Sequence, residues 1–298
     1  MKRTLFRKKL TAILHSMVLF ISLLFMLYLA LKQWQALQKT GWSFQYTLLV
    51  LSIIGVAILI FICVYGWHLV LLALGQKLPL KSSLFIWSMS FPTRYIPGGI
   101  WSYTSRASLA RNEGIEITPI ILSMYIETLL VIVSSITIGI IAFFLLVIDF
   151  PIKLEIIFLV WSGAVFLLHP KIMTPLINMI TKNVGVLENM RLANIKTTFQ
   201  LLVYYVFYWI ICGGIFLLFV LSIYPLDYKY WIPVGASFAL CYFVGYIIFF
   251  VPSGIGVRES AIYITLSSIL PDDINLLVSS GSRLWLMAGE MLFLIIAF

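Results

Sequence analysis

"RYIPGGIWSYTSRASLARNEG", residues 94–114, decides how this chain must be read. It follows an apolar run at 84–91, yet it holds three arginines, a Pro-Gly-Gly triplet and a row of hydroxyls. Proline removes a backbone donor and glycine loosens the backbone, so a helix entering the stretch breaks there. What the break means depends on the medium around it.

That medium is lipid. The 298-residue chain is 62% hydrophobic and 10% charged, where soluble domains carry about 25% charged residues. Several apolar runs reach the roughly 20 residues of a helical span. None alternates in the strands of about ten residues that a membrane barrel needs. The expected fold class is therefore all-α and integral to the membrane, with residues 1–298 as one polytopic domain. About seven spans are expected, at 12–31, 46–74, 119–148, 154–168, 198–223, 231–251 and 279–298. The run at 11–31 is too long for a signal peptide and lacks a small-residue cleavage site.

Net charge is +9, and five of the 20 basic residues fall in the first nine positions: Lys2, Arg3, Arg7, Lys8 and Lys9. The positive-inside rule places that N-terminus in the cytoplasm. Residues 171–196 mix basic side chains with Ile, Leu and Met, as a surface helix on the same side would. The near-neutral 224–230 suits the outside.

Two apolar pieces are too short to span. Residues 82–95 and 257–270 are 14 residues each, about 21 Å as helix against a hydrocarbon core of roughly 30 Å. The first runs into Pro97, Gly98 and Gly99; the second lies between Pro252-Ser253-Gly254 and Pro271. Around them "YIPGGIWSYTSRAS" (95–108) and "FVPSGIGVRESA" (250–261) share an aromatic, a branched aliphatic, Pro-x-Gly-Ile and a following arginine. This is a weak internal repeat. Gly/Pro-interrupted short segments in corresponding places of two halves point to a transporter binding site, because irregular backbone at membrane depth needs protein or a watery cavity around it. Two re-entrant or broken helices are expected. Charge counting puts both breaks on the cytoplasmic side, whereas an inverted repeat puts them on opposite sides.

The chemistry of the breaks favours an anion. Arg94 and Arg106 flank the first; Arg258 and Glu259 follow the second. Arginine stays charged and offers five donors in a planar fork that suits phosphate. Gly98, Gly99, Gly254 and Gly256 allow close backbone approach, and N–H groups at a helix start bind anions. Glu127, Arg283 and Glu290 lie inside apolar spans, where ionisable groups are costly and default to functional or paired positions. Functional Glu127 and Glu290 would balance the arginines, hold a cationic headgroup or carry a coupling proton. As an ion pair, Glu127 or Glu290 is expected to meet Arg94, Arg258 or Arg283. Trp87 and Trp209 read as interfacial anchors, and Trp101 stands beside the first break. Cys63, Cys212 and Cys241 read as apolar residues within spans, and the three histidines have no ligand spacing, so neither metal nor cofactor is implied. No HExxH, GxSxG or Gly-rich nucleotide loop occurs, which argues against an enzyme.

Taken together, "RYIPGGIW…SRASLARNEGI", then Glu127, then "VPSGIGVRESA" and "SSGSRLWL" resemble the lysylphosphatidylglycerol synthase transmembrane (flippase-like) family. The likeness runs from about residue 46 to the C-terminus and rests most on Pro252, Gly254, Gly256, Arg258 and Glu259, with Tyr95, Ile96, Pro97, Gly98, Trp101 and Arg106 in the first motif. It implies a lipid-accessible cavity in a bacterial plasma membrane protein that moves a phosphatidylglycerol derivative, here without the aminoacyl-transferase domain. Position 99 is glycine where the family often has lysine, and Thr128 follows Glu127 where arginine is common. Relatives that stand alone often accompany glycosyltransferases. A polyprenyl-phosphate-linked sugar is therefore a second substrate expectation, handled by a carrier, an enzyme or an accessory scaffold. A glycosyltransferase or a second copy of the chain is the expected protein partner, and nucleic acid is not expected.

Overall fold

The computed structural model describes residues 45–95, 100–145, 153–169, 172, 195–247, 254 and 256–297. Among these there is no strand. The helices are α1 (Tyr46–Ala73), α2 (Leu80–Ser90, continued by a 3-10 turn at Phe91–Tyr95), α3 (Trp101–Asn112), α4 (Ile117–Leu145), α5 (Leu154–Leu168), α6 (Ile195–Leu221), α7 (Trp231–Ile247), α8 (Val257–Leu266) and α9 (Asp272–Ala297).

Four of them, α1, α4, α6 and α9, are long and apolar enough to cross a membrane. Of the seven expected spans, 12–31 lies outside the described residues. The helices at 154–168 and 231–247 have 15 and 17 residues, short of the four long ones. α1 shows why the long helices need lipid. Val56, Ile60, Val64, Trp67 and Leu71 are buried, while Val50, Ile54, Ile58, Phe61 and Tyr65 on the other face are exposed. A helix that is apolar all round buries one side in protein and gives the other to hydrocarbon.

Polar pins cross between these helices. Trp67 Nε1 donates to Ser123 Oγ at 3.0 Å, joining α1 to α4, and Trp285 Nε1 donates to Ser52 Oγ at 3.0 Å, joining α9 to α1. Where α6 crosses α7, two glycines set the separation. A Cβ added to Gly213 would stand 2.5 Å from the Gly235 carbonyl oxygen. Small residues permit such close backbone approach in membranes, where apolar surface alone gives helices little reason to associate.

The contacts also fix direction. Trp67, near the end of α1, meets Ser123, near the start of α4, so those ends share one face of the bundle. The short helices α2 and α3 are joined to the same two ends by residues 74–79 and 113–116. They form a hairpin that enters and leaves at that face. The second pair does the opposite. Gln45 N–H donates to the Ser222 carbonyl at 2.9 Å, placing the end of α6 beside the start of α1 at the far face. α7 starts there and runs antiparallel to α4, with Gly139 against Leu240 and Thr128 near Tyr246. α8 turns back along α7, with Gly245 against Arg258 and Cys241 beside Thr265. α9 then starts at the far face, where Gly281 faces Phe219, and descends past α8 and α1. Two short helical hairpins thus enter from opposite faces, each followed by a long helix, α4 and α9. The opposite-sided alternative is the one found; Arg258 misleads a charge count because it is buried inside the bundle and reports no side.

Candidate functional site

Where the hairpins meet there is a cavity of about 240 Å³. Arg94 and Arg106 reach it from the first hairpin, Gly254 and Arg258 from the second, and Glu127 from α4. Five of the residues expected at a site are therefore brought together, although some lie more than 150 positions apart in the sequence.

Each arginine is held differently. Arg94, at the end of the 3-10 turn, donates to Glu290 on α9 and lies 3.9 Å above the Phe91 ring. Tyr95 Oη donates to the other Glu290 oxygen at 2.7 Å, so that carboxylate is doubly engaged. Arg106 on α3 donates to Glu127 on α4 at 2.6 Å and sits between the rings of Trp67 and Trp87, 5.2 and 4.8 Å away. The ion-pair expectation holds for Glu290 with Arg94. For Glu127 it needs correction, because its partner is Arg106, brought to it when α3 folds back beside α4.

Arg258 is the exception. It occupies the first turn of α8, is 4% exposed, and rests over the Tyr242 ring at 5.3 Å. Its nearest carboxylate oxygen, Glu259 Oε1, is 3.9 Å away, too far for a hydrogen bond. Glu259 is committed elsewhere: its Oε2 accepts the Gly256 N–H at 2.8 Å and caps α8, while Oε1 lies 3.8 Å from Arg283 on α9. Among the described residues of this cluster, four arginines (94, 106, 258 and 283) face three glutamates (127, 259 and 290), a formal excess of one positive charge.

Glycine makes the second hairpin possible. Gly254 has φ +65°, and a Cβ there would lie 2.7 Å from the Gly245 carbonyl oxygen. Gly245 in turn would bring a Cβ to 3.0 Å from that of Arg258. The pair lets α7 and α8 close up and sets the guanidinium on the cavity wall.

Other expected residues lie around the cavity without lining it. Glu259, Arg283 and Glu290 stand behind the wall as partners. Gly256 (φ +83°) is the exposed N-cap of α8, and Trp101 is 47% exposed at the start of α3. Pro97, Gly98, Gly99 and Pro252 lie outside the described residues. The wall also holds residues that sequence reasoning missed or misplaced. Trp87 and Trp209, expected at the interface, are buried, 7% and 1% exposed, on the wall beside Tyr208 and Tyr242. Tyr103 and Tyr246 share a hydrogen bond across α3 and α7, with Thr128 3.4 Å from Tyr246. The helical spacing of Tyr242, Gly245 and Tyr246, one turn before the second break, was the available signal. Cys63 lines the cavity as well, while Cys212 and Cys241 are buried as expected. Among the described residues no cluster of His, Cys, Asp or Glu offers a metal site.

Comparison with protein-family models and with curated proteins returns no match to this chain.

Proposed function

We propose that this chain binds the phosphate headgroup of a membrane lipid in the cavity and carries it between leaflets, as a flippase-like transporter of a bacterial plasma membrane. The observation that carries the reading is Arg258: a buried guanidinium on the cavity wall with no carboxylate in hydrogen-bonding range among the described residues. Glu259 Oε1 lies 3.9 Å from Arg258 and 3.8 Å from Arg283, a loose carboxylate shared by two arginines; a buried cation held that weakly is costly, and a lipid phosphate would supply the hydrogen-bonded anion. The hairpins support movement rather than mere binding. They reach one cavity from opposite faces, the arrangement on which alternating access at the midplane is built. With the basic N-terminus in the cytoplasm and residues 12–31 as a span, the Lys77, Lys81 and Arg111 end of the bundle faces inward.

The test is lipid retention and movement. Native mass spectrometry of the gently purified chain should find one phosphate lipid class that Arg258→Ala loses. In proteoliposomes, wild type should speed the exposure of a fluorescent form of that lipid to a membrane-impermeant quencher, and Arg258→Ala should not. Non-selective lipid carry-over, equal in both proteins, would count against the reading.

A further inference from the structure

Resting on that lipid-phosphate reading, we infer that the cavity takes a phosphodiester monoanion bearing a neutral, hydroxylated headgroup, such as a glycerol or a sugar, and rejects an aminoacylated one. The inference comes from what the wall lacks. Four of its residues carry a buried N–H without a hydrogen-bond partner: Trp87 Nε1 and the Nε atoms of Arg94, Arg106 and Arg258. All four are donors, and no lining residue leaves a buried acceptor unpartnered, so the wall favours a ligand rich in acceptors. A phosphodiester is rich in them.

An ammonium is the opposite, three donors and no acceptor. It would need a free carboxylate, and those of the cluster are engaged. Glu127 is taken by Arg106, Glu290 by Arg94 and Tyr95, and Glu259 by the Gly256 N–H. Glu259 Oε1 has no hydrogen-bond partner, but Glu259 does not line the cavity. An added ammonium therefore meets a wall that already carries one excess positive charge.

The excess of one also limits the anion. A phosphodiester neutralises it; a pyrophosphate overshoots and leaves negative charge buried in the membrane, which is costly. Beside the arginines lies the hydroxyl group of Tyr103, Tyr246 and Thr128, joined by Ser102 on the cavity wall. Each hydroxyl both donates and accepts, which matches another hydroxyl and gives no preference to a charge. Two lipid sources share this chemistry: phosphatidylglycerol, and a polyprenyl phosphate esterified to one sugar.

The experiment offers the purified wild-type chain an equimolar panel in detergent and reads bound lipid by native mass spectrometry. The panel holds phosphatidylglycerol, a monoglycosyl polyprenyl phosphate, lysylphosphatidylglycerol, a polyprenyl pyrophosphate and phosphatidylcholine. One of the first two should be retained at least about tenfold over the lysyl lipid and the pyrophosphate, the discrimination expected when a like charge is set against a buried one. Which of the two it is identifies the source. The double variant Tyr103→Phe with Tyr246→Phe, which keeps every arginine, should lose most of that preference. Retention of the lysyl lipid or the pyrophosphate equal to or above both phosphodiesters overturns the headgroup inference and leaves the phosphate site standing. Retention of nothing over phosphatidylcholine overturns both.

Discussion

Arg106 and Glu127 meet across 2.6 Å in the cavity wall, each side chain only 9% exposed. Breaking a buried pair leaves a naked charge and costs about 3–5 kcal/mol, whereas replacing both members with apolar residues is often neutral. Glu127→Leu alone is thus expected to lower the melting temperature sharply, and Arg106→Leu with Glu127→Leu to recover most of the loss. Thermal melts in detergent measure it. A double variant no more stable than Glu127→Leu would show that the pair is not the source of the cost.

Arg258 should behave in the reverse way. It has no hydrogen-bonded carboxylate to orphan, so Arg258→Ala should lower the melting temperature less than Glu127→Leu does. Its lipid loss should be larger. A hydrogen bond to a charged group contributes about 1.5–3 kcal/mol, so retention of the co-purified lipid is expected to fall at least about tenfold. Unchanged retention with a collapsed melting temperature would assign Arg258 to structure.

These contrasts mark how far the sequence could be read. Charges and Gly/Pro breaks stand out in an apolar chain, because each is expensive in lipid. Arg94, Arg106, Glu127, Gly254 and Arg258 were therefore legible as a set, and they do meet. Aromatics are not expensive there. Trp87 and Trp209 read as interfacial anchors, since an indole suits either a membrane interface or an interior wall, and only packing distinguishes them. The Glu127 partner was missed because it depends on α3 folding back beside α4. The sidedness of the second hairpin follows from Gln45 against Ser222 and Gly281 against Phe219, contacts between residues whose letters carry no topological signal.

The crossing of α6 and α7 offers a test with its own control. Gly213→Ala would drive a methyl to 2.5 Å from the Gly235 carbonyl, while the same change at Gly214 meets nothing within 4 Å. Overpacking costs about 1–3 kcal/mol, and relief of glycine's helix penalty returns roughly 0.5–1 kcal/mol. Gly213→Ala should be destabilised and Gly214→Ala equal to or above wild type. Equal effects at both positions would contradict the close approach.

The two glycines of the second break should separate as well. Gly254 and Gly256 both have positive φ, but only Gly254 is hemmed in, against the Gly245 backbone. An L-residue at positive φ is strained by about 1–2 kcal/mol, and Gly256, at φ 83° and ψ −40°, lies outside the left-handed well that asparagine favours. Gly256→Asn should retain lipid and keep its fold at that cost. Gly254→Asn should lose both, because its side chain pushes α7 from α8 and moves Arg258. Equal tolerance at the two sites, read by melting and lipid retention, would argue against the packed hairpin.

The opposed entry of the hairpins is open to direct labelling. Lys81, at the start of α2, and Asp272, at the start of α9, are both exposed and lie at opposite faces of the bundle. Single cysteines at these positions, with Cys63, Cys212 and Cys241 replaced by alanine, report sidedness to a membrane-impermeant maleimide. The Lys81 end also carries Lys77, Arg111 and Lys196, against Lys153 and Lys229 at the Asp272 end. Basic ends stay in the cytoplasm, so Asp272→Cys should label in intact cells and Lys81→Cys only after the membrane is opened. Tyr228→Cys, in the short link between α6 and α7, should follow Asp272→Cys. If Lys81→Cys and Asp272→Cys label from one side, the two hairpins enter together, and a cavity reached from both faces is no longer the basis for moving a lipid across.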